Sequence, residues 1–198
     1  MRVIESYLVR RIVCGLSTSL GAHFASICRS IDNERFVENV RGLFRSLTGT
    51  TRRCPGDSEF QHELKTRNLY SAAVCPYILR RMENHGRKEP LDLDEHDVEP
   101  ILPAESPLPP EWQEELGVNW NQTHEELAGT LGNLTLTKGA RHFADSPFGH
   151  KRDLETGYRR SPLWLNDLPG KAQRWDAQAI RERAEALAER ALEVWQMP

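Results

Sequence analysis

The sequence predicts an α+β protein that is mainly helical. Apolar residues recur at helical spacing through residues 1–86, whereas period-two alternation is confined to short segments of the second half. A chain of 198 residues suits one large domain or two small ones. Because the sequence changes character near residue 88, we predict a helical segment, residues 1–88, followed by a second domain, residues 89–198.

The first segment is predicted to be helical throughout. Ile4, Leu8 and Ile12 follow Met1 at helical spacing, and a helix that starts without a capping residue suggests a piece of a longer protein. Arg10 and Arg11 fall on other faces, where solvent exposure is the ordinary expectation. The further helical patterns are residues 23–31, 34–47, 58–67 (with Asp57 as N-cap) and 71–84.

Two short strands are predicted in the second segment. Val98–Leu102 is the first, and residues 132–137 form the second because Leu134 and Leu136 alternate with polar residues. Prolines keep the chain irregular after the first strand. Thr123 and Glu126 fit a capping box that begins a short helix before the second strand.

Two helices are predicted after the second strand. Ser146 followed by Pro147 is a strong helix start, and this helix is expected to continue to Arg160. The last helix is predicted from Asp176 to about Trp195 because apolar residues recur on one face. The predicted elements around the two strands therefore follow the order strand, long loop, strand and helix.

Composition and charge exclude several classes of protein. No apolar run approaches membrane length, and no signal peptide is recognisable, so the expected location is cytoplasmic and no membrane contact is expected. The four cysteines form no C-x-x-C pair, which argues against a zinc ribbon or a disulfide framework. Residues 89–126 contain twelve acidic and no basic residues, leaving 26 basic and 17 acidic residues elsewhere. This partition suits a polyanion partner with a cation-binding centre, and solvated surface charge explains it equally well.

Five motifs in a fixed order carry a resemblance to a known family. They are VEPILP, LGNLTL, ADSPFGHK, the spacing Ser161 to Asn166, and the closing series Trp175, Ile180, Arg183 and Trp195. Together they resemble the HNH-type C-terminal nuclease domain of GmrSD-like, modification-dependent (type IV) restriction endonucleases. The stretches IESYLVRRIVCG and PGDSEFQHEL resemble the helical region before that domain. The resemblance implies a ββα-metal (HNH-like) nuclease module and a DNA endonuclease for antiviral defence.

The resemblance also implies a metal-dependent site. Phosphodiester hydrolysis requires a divalent cation at the scissile phosphate and a base for the attacking water. Magnesium or manganese prefers oxygen ligands, and by position Glu99 is the first candidate ligand and Asp145 the second. Double-stranded DNA is the implied partner, and its candidate contacts are Lys138, Arg141, Lys151 and Arg152. Family members carry a separate N-terminal sensing and nucleotide-hydrolysing domain, which this sequence lacks.

Two substitutions depart from the family pattern. Pro100 stands where the family has its histidine, and Ala140 stands where it has an asparagine. Neither side chain can act as a base or a metal ligand. Asn133, the third candidate of the catalytic group, is expected to hold the loop between the strands by bonding the backbone, although an Asn after Gly is also ordinary turn chemistry.

The function therefore has alternatives. His96, His142 and His150 are candidate substitutes for the missing base, although exposed surface histidines are the more ordinary interpretation. The leading hypothesis is a DNA-nicking or DNA-cleaving domain that is catalytically impaired in this chain. The second is an inactive DNA-binding or partner-docking module that retains the nuclease fold. A helical scaffold protein is the third.

Overall fold

The computed structural model describes residues 2–18, 35–47, 49, 51–138 and 145–198. The helical pattern predicted at 23–31 therefore lies outside the described residues. In chain order the elements are α1 (Arg2–Val13), α2 (Phe36–Ser46), α3 (Asp57–Thr66), α4 (Cys75–Glu83), β1 (Asp97–Pro100), α5 (Pro110–Leu116), α6 (Trp120–Leu127), β2 (Leu134–Thr137), α7 (Phe148–Asp153), α8 (Asp167–Lys171) and α9 (Ala177–Val194). Short 3-10 helices cover Leu131–Asn133, Tyr158–Arg160 and Trp164–Asn166.

The chain divides into two compact units. The first contains residues 1–63 and 191–198, and the second contains residues 64–190. The division falls within α3 and within α9. The boundary that the sequence suggests, between residues 88 and 89, remains a prediction.

The first unit has a small aromatic and aliphatic core. Tyr7 from α1 stacks on Phe44 from α2 with ring centroids 4.0 Å apart, and Val40 and Leu47 complete the cluster. Asp57 is predicted as the N-cap of α3, but it is the first residue of the helix. The first helical hydrogen bond runs from the Phe60 N–H to the carbonyl of Gly56, the residue before Asp57.

Two arginines of α1 are buried in this unit, which corrects the expectation that they face solvent. Arg10 is fully buried; it donates to the carbonyl of Trp195 and pairs with Asp57 at 2.6 Å. Arg11 donates to the carbonyls of Arg53 and Thr51. Backbone carbonyls satisfy the donors of a guanidinium as well as water does. Helical periodicity alone does not reveal that such carbonyls lie beside an arginine.

The second unit contains a two-stranded antiparallel sheet among its described residues. Asp97 lies opposite Thr137, and Pro100 lies opposite Leu134. Each strand is an edge of so small a sheet, so Pro100 can end β1 without breaking a central ladder. The mainly helical α+β fold class is confirmed at this level, and the ββα-metal module remains a prediction.

Strand β1 is shorter at its end than predicted. It begins at Asp97 and stops at Pro100, before Ile101 and Leu102. These two residues leave the ladder because their N–H groups donate to the Asn133 carbonyl at 2.9 Å and to Asn133 Oδ1 at 2.8 Å. Both side chains are fully buried in the core of the unit.

Strand β2 is buried on both faces, although its sequence alternates. Thr135 is fully buried because the turn Trp164–Asn166 covers it, and its hydroxyl donates to Asn166 Oδ1 at 2.5 Å. The Asn166 amide in turn donates to the Leu136 carbonyl at 3.1 Å. A polar side chain can therefore occupy a buried position when a tertiary partner satisfies it.

Two predicted helix starts are wrong. Helix α6 begins at Trp120, and Thr123 is buried inside it with its N–H bonded to the Asn119 carbonyl, so no capping box forms there. Helix α7 begins at Phe148, and Ser146 instead accepts a hydrogen bond from Trp112 Nε1 through its carbonyl at 3.1 Å. In both places tertiary packing overrides the local capping signal.

Helix α7 also ends earlier than predicted, at Asp153 rather than Arg160. The chain turns back over the helix at Gly157, where an added Cβ would lie 2.4 Å from the Lys151 carbonyl oxygen. Only a glycine permits so close an approach, and it ends the helix. The final helix behaves as predicted, since Asp176 Oδ1 accepts the Ala179 N–H at 3.0 Å at the start of α9.

The core of the second unit is rich in aromatic rings. Phe148 stacks on Trp175 with ring centroids 5.5 Å apart, and Trp112 and Tyr158 pack around the pair. In the described part of the chain, no helix has the length and apolar character that crossing a membrane requires.

Candidate active site

A cavity of about 610 Å³ borders strand β1 in the second unit. One part of its wall comes from residues 70–73, just before α4, and from Pro76 in its first turn. The rest comes from residues 97–100 and 103–105 and from Asp145. The carboxylates of Asp97, Glu99, Glu105 and Asp145 line it, whereas its described lining residues include no Lys, Arg or His. The cavity is therefore acidic, which favours a cation and disfavours a bare phosphate.

Glu99 is held in this cavity by a buried lysine. Lys151 Nζ donates to Glu99 Oε1 at 2.8 Å, to the Pro100 carbonyl at 3.1 Å and to the Ile101 carbonyl at 3.0 Å. Both side chains are almost fully buried, at 3% exposed for Glu99 and 1% for Lys151. An ammonium has three donors, so all the donors of Lys151 are used inside the protein.

Electrostatics connect Glu99 to Asp145. Burial raises the pKa of the Glu99 carboxyl, the Lys151 ammonium opposes this rise, and the Asp145 carboxylate adds to it. Burial likewise lowers the pKa of the Lys151 ammonium, and Glu99 and Asp145 oppose that change. The structure thus brings Glu99 and Asp145, the two predicted metal ligands, to one cavity close enough to influence each other.

Asn133 lies behind this site rather than in it. Its Oδ1 accepts from the Leu102 N–H and from Trp175 Nε1, and its Nδ2 donates to the carbonyls of Leu102 and Ala128. The side chain is fully buried and is not part of the cavity wall. Its amide therefore joins the segment after β1 to the turn before β2. The sequence predicts this backbone-bonding role for Asn133.

Arg183 of α9 holds the turn that contains Asn133 through bonds to its backbone carbonyls. Its guanidinium is almost fully buried and donates to the carbonyls of Gly132 at 2.7 Å, Leu134 at 2.9 Å and Leu165 at 3.1 Å. An added Cβ at Gly132 would lie 2.3 Å from the Ile180 carbonyl oxygen, so α9 and this turn are in direct contact. The closing motif of the sequence thus helps to position β2.

The remaining predicted residues have mixed placements. Pro100 lines the cavity at the end of β1, whereas Ala140 and Arg141 lie outside the described residues. Lys138 is exposed and pairs with Glu95 at 2.9 Å. Arg152 is mostly buried and already donates to Asp153 and to the Ala172 carbonyl. Binding of a DNA phosphate by Lys151 or Arg152 would require these internal bonds to break, so Lys138 has the most accessible position of the three.

The two candidate substitute bases that the structure describes, His96 and His150, do not line the cavity. His96 precedes β1 and His150 is exposed on α7, but neither belongs to the described cavity wall, and His142 lies outside the described residues. A histidine that sequence reasoning missed, His124, is buried with Nε2 2.8 Å from the Pro103 carbonyl oxygen. That bond places the ring against the backbone of the cavity wall.

Sequence reasoning also missed Tyr70, which lines the cavity beside the carboxylates. No periodic pattern marks it, because it belongs to the irregular chain between α3 and α4. Across the described residues, no group of three or more His, Cys, Asp or Glu side chains converges closely enough to hold a metal ion.

A comparison with protein families gives one match. The model of the family described as GmrSD restriction endonucleases, C-terminal domain, matches residues 54–190, which include all of the second unit. No curated protein and no solved structure matches the chain. Because the family model covers well over half of the sequence, the chain belongs to the C-terminal domain family of GmrSD restriction endonucleases, which indicates a nuclease domain of restriction defence.

Proposed function

We propose that this chain provides a metal-dependent, HNH-like ββα centre for cleaving double-stranded DNA, and that Pro100 and Ala140 impair its catalysis. The observation that carries the proposal is that Glu99 and Asp145 line one acidic cavity at the edge of the β1–β2 sheet. Helix α7, the next helix after β2 among the described residues, contacts the same site through Lys151. The order strand, strand, helix therefore surrounds the proposed ligands.

The residues present fit a magnesium or manganese ion. Both ions prefer oxygen ligands, and magnesium is usually held by one or two carboxylates, with water and substrate phosphate completing the coordination. Glu99 and Asp145 supply two carboxylates, and a third protein ligand is not required. Lys151 pairs with the Glu99 carboxylate and offsets part of the cost of burying its charge.

When bound, such an ion polarises the scissile phosphate and stabilises the charge that develops on the leaving oxygen. The chain's own contribution is positioning. Lys151 holds Glu99 through one carboxylate oxygen, Asn133 holds the segment that follows Pro100, and Arg183 holds the turn before β2. These buried bonds fix the cavity wall before any substrate arrives.

The proposed impairment follows from what Pro100 lacks. A proline has no group that can accept a proton from water, and no histidine lines the described part of the cavity. General base catalysis typically contributes a factor of about 10² to 10⁴, so its loss leaves slow cleavage rather than none. The same observation favours a second candidate function, a DNA-binding or partner-docking module with an inactive centre.

DNA contacts and recognition complete the proposal. The exposed Lys138, at the end of β2, is the best-placed described residue for a phosphate contact, and Arg141 follows it in the chain. Recognition of modified DNA and nucleotide hydrolysis are assigned to a separate sensing domain. The resemblance to GmrSD-like endonucleases supports this division of work.

The test is nicking of supercoiled plasmid by the full chain with magnesium or manganese. We expect little or no nicking by the natural chain, and clear nicking by Pro100→His combined with Ala140→Asn. Adding Asp145→Asn to that variant should abolish the restored activity without disturbing the core, because Asp145 is exposed. If the natural chain nicks as fast as the restored variant, the proposed impairment is wrong. If no variant nicks but all bind DNA, the binding module is correct.

A further inference from the structure

The cavity wall also contains two residues with hydroxyl groups that have no partner among the described residues. Tyr70 and Ser71 line it, and neither side chain has a hydrogen-bond partner within the part of the chain that the structure describes. Tyr70 is 42% exposed although its residue belongs to a cavity wall. Because the Tyr70 side chain is exposed and makes no hydrogen bond to a described residue, its hydroxyl is accessible to a ligand in the cavity.

The position of Tyr70 is fixed by the turn that leads to β2. The N–H groups of Leu69 and Tyr70 both donate to the Gly129 carbonyl, at 2.8 and 3.1 Å. Gly129 is in close contact with Asn68, since an added Cβ there would lie 2.4 Å from Asn68 Cγ. The backbone of Tyr70 is therefore attached to the chain just after α6, near the turn that contains Asn133.

The carboxylates of the site act electrostatically on the hydroxyl of Tyr70. Burial raises its pKa, and the carboxylates of Glu99 and Glu105 raise it further. The phenol consequently stays protonated and remains a hydrogen-bond donor at neutral pH. Its proximity to Glu99 also places it near the proposed cation.

A phosphate in this cavity needs donors that the carboxylates do not provide. The described wall contains no Lys or Arg, and a cation satisfies only the phosphate oxygens that it contacts. Neutral hydroxyl groups can bond the remaining oxygens without adding charge. Tyr70, with its free hydroxyl and fixed backbone, is the best-placed of them.

We propose that Tyr70 is a substrate-binding residue whose hydroxyl donates a hydrogen bond to a nonbridging oxygen of the DNA phosphate in the cavity. This assignment rests on the proposed nuclease function and adds a residue that binds the phosphate through a neutral hydroxyl group. Ser71 is the adjacent second donor.

The test compares Tyr70→Phe, which removes only the hydroxyl, with Tyr70→Ala, which also removes the ring. Binding of a short fluorescent DNA duplex to the full chain is measured by anisotropy in manganese at several salt concentrations. We expect Tyr70→Phe to weaken binding about 10- to 150-fold, as the loss of one hydrogen bond to a charged acceptor requires. The slope of log affinity against log salt should stay unchanged, because no charge is lost.

Two controls make the result specific. Tyr77→Phe changes an exposed tyrosine of α4 outside the cavity and should leave binding unchanged. Lys138→Ala should lower the salt slope by about one, as loss of a phosphate-binding cation does. Thermal unfolding checks that every variant is folded.

The outcomes separate the two proposals. If Tyr70→Phe binds as tightly as the natural chain, the role of the hydroxyl is overturned, even if Tyr70→Ala binds weakly through loss of the ring. If the natural chain binds DNA equally well with and without manganese, and the restored variant does not nick, the nuclease proposal itself fails. A selective loss in Tyr70→Phe supports the assignment.

Discussion

Lys151 Nζ lies 2.8 Å from Glu99 Oε1, and its other bonds are to the carbonyls of Pro100 and Ile101. The side chains of Lys151 and Glu99 are 0% and 4% exposed. One helix is thereby joined to the end of one strand by an ion pair beside the acidic cavity. The energetic consequences of this arrangement are large because neither charge has access to much water.

Replacing Lys151 by Met should destabilise the protein by about 3–5 kcal/mol, since it leaves Glu99 as an unpaired buried charge. The free energy of unfolding in urea measures the effect. Adding Glu99→Gln to Lys151→Met should recover a large part of the loss, because the second change removes the orphaned charge. Lys138→Met breaks an exposed pair that water already screens and should leave the stability nearly unchanged. Equal losses for Lys151→Met and Lys138→Met would contradict the buried pair.

Replacing Asn133 by Ala should cost about 3 kcal/mol or more. The change leaves the Leu102 N–H, two carbonyls and Trp175 Nε1 buried without partners, and each such group costs about 1–3 kcal/mol. Asn121→Ala, on the exposed face of α6, is the matched control and should be nearly neutral. Urea unfolding of both variants provides the comparison. A neutral Asn133→Ala would show that the amide does not hold this turn.

The stability of the protein should decline in alkaline solution, with Cys75 as one identifiable cause. Burial raises the pKa of the Cys75 thiol to about 12 from an ordinary value of 9.0. A folded-state pKa above the unfolded value means that the folded state retains its proton longer. This contribution is therefore complete below about pH 9 and is lost as the pH rises towards 12.

The variant Cys75→Ala tests this cause. Its free energy of unfolding should fall less steeply above pH 9 than that of the natural chain, by about 1.4 kcal/mol per pH unit. Unfolding curves at neutral pH and above pH 9 give both slopes. Parallel pH profiles for the two proteins would exclude Cys75 as a cause.

The sequence places Glu99 and Asp145 in motifs, and both residues line one cavity, while their role as metal ligands stays a prediction. The boundaries of several elements differ from the predicted ones. The starts of α6 and α7 were misjudged because Thr123 and Ser146 resemble capping residues but are engaged in the helix interior and in a tertiary bond to Trp112. Capping is a local signal of about 1 kcal/mol, which tertiary packing readily exceeds.

The sequence by itself determined the α+β class, the order of strands and helices around the site, and membership of the restriction endonuclease family, because periodicity and motif order are properties of the chain. Only the tertiary structure decided that Lys151 is buried against Glu99, and that Tyr70 reaches the cavity. Those facts depend on which distant segments share a surface. Local spacing carries no information about such contacts, since burial and pairing between segments far apart in the chain determine them.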